Sequence, residues 1–247
     1  MIRLPEDKPR VPKKEPRYFF IYGEPMSGKT FFASYFPHVL DINTDNNASQ
    51  SRAPSIQLLT DENEQPVNDI IGRLDEIIKL ISKSTFKTIV IDTIEDVVSA
   101  VTKQITDSAN EKYITDGKLA YGKGTSMVKK VIEDLVLELK ALPVNVIWIS
   151  REKEQNDIAA GTSKIVPALK TNYYNIVAGN CDLVIRTSKV GAGQNIHYMR
   201  EVKAARTKYL PENITNKRVL DLLLTCEGMF SNEVLKKYKE NKKKESK

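Results

Sequence analysis

The sequence predicts an α/β domain. Its sheet is mostly parallel and covered by helices on both faces, and an antiparallel hairpin joins it late in the chain. Three observations carry this reading. Apolar runs such as Thr88-Ile89-Val90-Ile91 and residues 144–149 read as strands buried on both faces, as parallel strands are. Between them, apolar residues recur at helical spacing, most clearly Ile70, Ile71, Leu74, Ile77, Ile78 and Ile81. Gly191-Ala192-Gly193-Gln194-Asn195 separates two further apolar runs, which is a hairpin signal. At 247 residues, 40% of them hydrophobic, the chain can bury one such core.

Taken in order, residues 1–16 hold Pro5, Pro9, Pro12 and Pro16 among charges and read as an extended or disordered arm. Residues 18–22 form the first strand. The helix after it ends by Pro37, which cannot continue it. Residues 39–42 are a short buried strand, followed by the polar Asn43-Thr44-Asp45-Asn46-Asn47. The one-faced helix over 70–81 leads to a strand over 88–92. Ile94, Val97, Val98, Val101 and Ile105 mark the next helix.

Residues 109–125 break the pattern. Gly117, Gly122 and Gly124 stand among Lys112, Lys118, Lys123, Tyr113 and Tyr121, which predicts a mobile, basic and aromatic loop. Val128, Val131, Ile132, Leu135, Val136 and Leu139 give another amphipathic helix, and residues 144–149 the next strand. Residues 153–166 are polar and predict a loop. A short helix over 171–178, a strand over 181–187 and its hairpin partner over 196–202 follow. Residues 219–224 are apolar, and 236–247 form a lysine-rich tail expected to be disordered. The domain therefore spans 17–235, and no internal repeat is visible.

The chemistry is concentrated after the first strand. Gly23-Glu24-Pro25-Met26-Ser27-Gly28-Lys29-Thr30 fits the P-loop pattern. A chain of this length matches that pattern by chance roughly once in a hundred. Here the match also follows a strand and opens a helix, as the motif requires. Gly23 and Gly28 permit backbone angles that let the loop wrap an anion. Its N–H groups then point at a phosphate. Pro25 donates no N–H and belongs on the outer bend. Lys29 is placed to reach the β- and γ-phosphates, and the Thr30 hydroxyl to ligate Mg²⁺. The predicted nucleotide-binding set is Gly23, Glu24, Pro25, Met26, Ser27, Gly28, Lys29, Thr30 and Phe31, with ATP and Mg²⁺ as cofactors.

Asp92 ends an apolar strand in a Walker B arrangement and is the expected second metal residue. Hydrolysis also needs a carboxylate to activate water. Glu95 and Asp45 are the leading candidates, with Asp41 behind them. Ser150 and Arg151 end a neighbouring strand, where they could sense the γ-phosphate. Lys203 and Arg206 follow the hairpin and could neutralise charge in a neighbouring subunit's site.

Composition narrows the function classes. No apolar run approaches the roughly 18 residues of a membrane span, and no secretory h-region is visible. Cys181 and Cys226 sit in apolar runs and make no disulfide or zinc framework, and two histidines are too few for a metal cluster. A reduced cytoplasmic compartment is expected. The net charge of +6 is peripheral: residues 1–16 carry +2 and residues 236–247 carry +5, which leaves about −1 for the rest. Such ends suit salt-sensitive attraction to nucleic acid or simple solubility.

The motifs 23–30, Thr88–Asp92, Tyr121-Gly122-Lys123-Gly124, 144–150 and Lys203-x-x-Arg206 come in an order that resembles the phage-encoded RecA-core nucleotide-binding proteins. That group includes ATP-dependent single-strand annealing recombinases. The resemblance covers roughly 17–225. It implies a RecA-like core, Mg-ATP binding, single-stranded DNA binding, homo-oligomers with nucleotide at subunit boundaries, and phage recombination or replication in the bacterial cytoplasm. A single-strand-binding protein is a further implied partner. By the same analogy, the stretches 151–170 and 189–195 face DNA, with Arg151, Lys153, Lys164 and Lys170 pairing with phosphates.

The sequence departs from that family in two places. Asn43 stands nearest the family's catalytic glutamate, with Asp45 two residues on. The DNA-facing stretches also lack an aromatic platform beyond Tyr173 and Tyr174. Two other readings stay open. One is a replication accessory that loads or switches through protein partners. The other is a small-molecule kinase, against which the absence of arginine from 109–125 counts.

Overall fold

The computed structural model describes residues 6–8, 15–45, 51–157, 161–191 and 193–245. The remainder of the proline-rich arm, Asn46 and Asn47 of the polar stretch, and Ala192 of the hairpin turn lie outside the described residues. Among the described residues, eight strands make one sheet, in the order β3-β2-β4-β5-β1-β7-β8 with β6 paired to β5. They are β1 (Tyr18–Gly23), β2 (Val39–Asn43), β3 (Ser55–Gln57), β4 (Thr88–Asp92), β5 (Asn145–Asp157), β6 (Thr162–Pro167), β7 (Leu183–Val190) and β8 (His197–Ala205). The path from β3 to β7 is parallel throughout, and β8 adds an antiparallel edge.

Among the described residues, seven α-helices cover the sheet: α1 (Lys29–Ser34), α2 (Ile70–Ile81), α3 (Ile94–Ala109), α4 (Lys123–Ala141), α5 (Thr171–Val177), α6 (Lys217–Leu223) and α7 (Asn232–Glu245). Alternation within each strand sends side chains to both faces. In β1, Phe20 and Tyr22 join the core under α2, α3, α4 and α5, while Phe19 and Ile21 join the core under α1 and α6. Apolar residues on both sides explain why the central strands lack a polar stripe.

Local rules set the helix ends. The Asp69 side chain caps α2 by accepting from the Gly72 amide at 2.9 Å. Asn110 closes α3 in the left-handed region at φ 56°. Tyr173 lies in the core and Tyr174 meets the Phe20 ring edge-on at 5.3 Å, so this pair packs rather than offering a stacking platform.

Four segments differ from the sequence expectation. Residues 153–157 do not form a loop but extend β5, which pairs with β6 as an antiparallel ribbon from Glu152↔Pro167 to Asp157↔Thr162. Its side chains are largely exposed on both faces, so no apolar alternation marked it. Strand β3 was not foreseen, being only three residues at a sheet edge. The stretch 109–125 is anchored rather than open: Leu119 is buried in a 3-10 turn, and α4 begins at Lys123. The lysine-rich end, expected as a disordered tail, is helical as far as Glu245. Among the described residues, no helix is long and apolar enough to cross a membrane.

Candidate nucleotide site

The site gathers at the carboxyl ends of the central strands, where ligands bind in open α/β sheets. Strand β1 delivers Gly23 between β5 and β7, opposite Arg151 and Thr187. A Cβ at Gly23 would meet the Thr187 carbonyl oxygen at 2.2 Å, so only glycine lets the strands close here. The loop then turns back through Gly28 at φ 84°. It is braced on β7: Ser27 and Thr187 share a buried hydroxyl–hydroxyl bond of 2.6 Å, and the Lys189 amide donates to Glu24 Oε1 at 2.9 Å. Sequence reading missed this brace, because a lone threonine 160 residues downstream carries no local signal.

Lys29 folds across the loop and donates to the Gly23 and Glu24 carbonyls at 2.9 and 2.8 Å. Burial lowers its pKa, opposed by Asp92, Glu152 and Glu95. The Thr30 hydroxyl donates to Asp92 Oδ2 at 2.5 Å across 62 residues of sequence. The two predicted metal residues are therefore adjacent. Burial pushes the Asp92 carboxyl up to about 6, with the Thr30 bond and Lys29 pulling it down and Asp45 pushing it further up. A hydroxyl oxygen beside a desolvated carboxylate is a hard-oxygen donor set that fits Mg²⁺.

The water-activating candidates separate in space. Asp45 lies just past β2, exposed at the rim, its amide donating to Asn43 Oδ1 at 2.9 Å. It is close enough to raise the pKa of both Asp92 and Asp41. Glu95 is more enclosed, although its charge is felt by Lys29. One of its oxygens accepts from Ser150 Oγ, and the other is buried without a partner among the described residues. Burial raises its pKa, with Ser150 opposing. Glu95 also lines a cavity of about 390 Å³ that includes Lys170 and Tyr173.

Asp41 is 1% exposed, and neither carboxylate oxygen has a hydrogen bond among the described residues. Burial first, then Asp92 and Asp45, push its pKa from 3.8 to about 7, against a smaller pull downward from the nearby Asn43 side chain. The raised value means the folded state holds a proton that the unfolded chain has already released. Stability from this group is therefore full below about pH 4 and lost as pH rises through about 7. Asp41→Asn is expected to flatten that slope. Thermal melts at pH 8 in EDTA should show a gain on the order of 1–4 kcal/mol, which vanishes at pH 4. An unchanged pH 8 melt would count against the buried, unpaired carboxylate.

Arg151 forms a two-pronged pair with Asp96 at 3.0 and 2.5 Å. Burial alone would raise the Asp96 pKa, but Arg151, Thr93 and Thr44 hold it lowered. A second ion pair was missed by the sequence reading: Glu152, one residue past Arg151, binds Arg186 at 2.9 and 3.2 Å. Lys203 pairs with Glu201 at 2.6 Å. Arg206 sits beside Asp182 at the start of β7, the end of the sheet opposite the P-loop. Its guanidinium donates to the Gly179 and Cys181 carbonyls at 2.7 to 3.2 Å, so it braces the chain and does not face the chain's own P-loop. At the P-loop level, β8 instead presents Arg200, opposite Thr187.

Lys153 and Lys164 stand exposed on the β5–β6 ribbon. Lys153 pairs with Val166, two residues from Lys164, so both lysines share one ribbon face and Glu152 and Glu154 share the other. Lys170 precedes α5 and lines the Glu95 cavity. Cys181 and Cys226 are buried free thiols, as expected.

A family model described as AAA domain matches residues 15–222. No curated protein sequence matches significantly. Among solved structures, a KaiC-like protein from the hyperthermophilic archaeon Pyrococcus horikoshii is similar at 12% identity and a TM-score of 0.45, covering 78% of this chain and 81% of its own.

Proposed function

The chain belongs to the AAA domain family, and from that premise we propose that it is a magnesium-dependent ATPase that binds single-stranded DNA and promotes annealing or strand exchange. The proposal extends to a homo-oligomer acting in phage recombination or replication in the host cytoplasm. The observation that carries the ATPase reading is the direct contact of Thr30 with Asp92 beside the Lys29-bearing loop.

Thr30 and Asp92 would hold the magnesium, which when bound neutralises charge on the β- and γ-phosphates. Gly23 and Gly28 shape the loop so that its backbone amides surround the phosphates. Lys29 leaves two carbonyls for the γ-phosphate, exchanging neutral acceptors for an anion that it binds more strongly. Asp45, at the open rim, accepts a proton from the attacking water. Arg151 stays oriented by Asp96 where β5 passes from the sheet into the ribbon, and so links the site to the ribbon.

The DNA reading rests on that ribbon. Two exposed lysines on one face can pair with successive phosphates. The kinase reading loses ground because 109–125 is anchored by Leu119 and lacks arginine. The deciding experiment is ATP hydrolysis with and without single-stranded DNA. Stimulation supports the proposal. Hydrolysis without DNA binding would move the reading to an accessory that works through protein partners, and phosphate transfer to nucleosides would move it to a kinase. A charge test accompanies it. Lys153→Glu with Lys164→Glu should weaken DNA binding and make the log–log salt slope shallower by about 1.4, at about 0.7 per phosphate contact. An unchanged slope would remove the ribbon from the interface.

A further inference from the structure

A hollow of about 410 Å³ opens directly off the P-loop. Gly28, Lys29 and Thr30 form its phosphate end, and Met26, Phe31, Tyr198 and Arg200 form the rest. Three of these are large apolar side chains left in solvent: Met26 is 86% exposed, Phe31 59% and Tyr198 54%. An apolar patch continuous with a phosphate cradle is a surface waiting for a ligand that is flat at one end and anionic at the other.

Strand β8 explains how the hollow is built. It runs antiparallel to β7, so Tyr198 and Arg200 come back alongside the P-loop, opposite Lys189 and Thr187. They share one face of the strand because they are two residues apart. The Tyr198 ring lies 3.6 Å from where a Cβ on Gly28 would sit. Arg200 is steadied by the Phe32 ring at 4.7 Å and by Thr225 Oγ1 at 3.3 Å.

Resting on the nucleotide reading above, we infer that this hollow takes the nucleobase, with Tyr198 as its stacking face and Arg200 as the cation beside it. Among the described residues lining the hollow, none offers a side-chain carbonyl, amide or carboxylate to read the edge of a base, and the Arg200 guanidinium is already engaged by the Phe32 ring and Thr225. Discrimination therefore comes from stacked area. Purines bind better than pyrimidines, and adenine and guanine are nearly equivalent. Tyr198 is a specificity residue supplied by the edge hairpin and not by the P-loop.

The test is calorimetric binding of ATP, GTP, UTP and base-free tripolyphosphate, each with magnesium, to the full chain and to Tyr198→Ala and Tyr198→Phe. Wild type should bind ATP and GTP within about threefold of each other and UTP about tenfold more weakly. Tyr198→Ala should lose about tenfold for ATP, as expected for removal of one stacking ring, with tripolyphosphate unchanged. Tyr198→Phe should restore ATP binding. The inference falls if Tyr198→Ala keeps the wild-type ratio of ATP to UTP, or if it loses tripolyphosphate by the same factor, which would make the ring a prop for the loop. It also falls if wild type binds ATP no better than tripolyphosphate, although the P-loop reading then stands. Binding of neither would end both.

Discussion

Lys29→Ala is expected to abolish ATP turnover, by at least about a hundredfold in kcat. The side chain already lies inside the loop, held by the Gly23 and Glu24 carbonyls and stripped of much of its water. A cation in that position meets the γ-phosphate without first having to be desolvated, and it strengthens its contact as charge builds on the transferring group. Alanine removes that charge and leaves two carbonyls facing an anion. The fold should survive, because Lys29 holds only the loop, so melting curves should stay close to wild type. Steady-state phosphate release checks the rate. Turnover within tenfold of wild type would mean that the loop does not position a γ-phosphate.

Asp45→Asn should cost about 10²-fold in turnover, in the range for a lost general base, and Glu95→Gln less than tenfold. Only geometry separates the two residues. Asp45 is open to water and feels Asp92. Glu95 is turned into the helix-lined cavity and tied to Ser150. Nucleotide affinity should change little in either variant, since neither residue is part of the phosphate cradle. Single-turnover hydrolysis alongside equilibrium binding distinguishes the effects. A larger loss in Glu95→Gln would reverse the assignment.

The legible part of this protein was the part written in local pattern. The strands β1, β4 and the sheet-embedded half of β5 announced themselves because both faces are buried, and α2 because its isoleucines fall on one side. The P-loop and Asp92 were readable because strand, turn and helix confine them to short windows. Contacts made across the sheet were not readable. The Ser27–Thr187 bond and the placement of Tyr198 and Arg200 depend on β7 lying next to β1 and β8 next to β7, which is a matter of topology. The ribbon escaped notice because a hairpin exposed on both faces has the composition of a loop. The position of Arg206 is likewise a matter of topology: an antiparallel β8 carries its last residues away from the chain's own P-loop, and Arg206 ends against the Gly179 and Cys181 carbonyls.

The most direct test of the central claim is a crystal structure of the full chain with Mg²⁺ and a non-hydrolysable ATP analogue. The account predicts the triphosphate inside the loop spanning residues 23–30, Lys29 turned from the two carbonyls onto the γ-phosphate, and the metal bonded to Thr30 Oγ1 with Asp92 beside it. Nucleotide bound elsewhere on the molecule, or a metal held away from both Thr30 and Asp92, would contradict it.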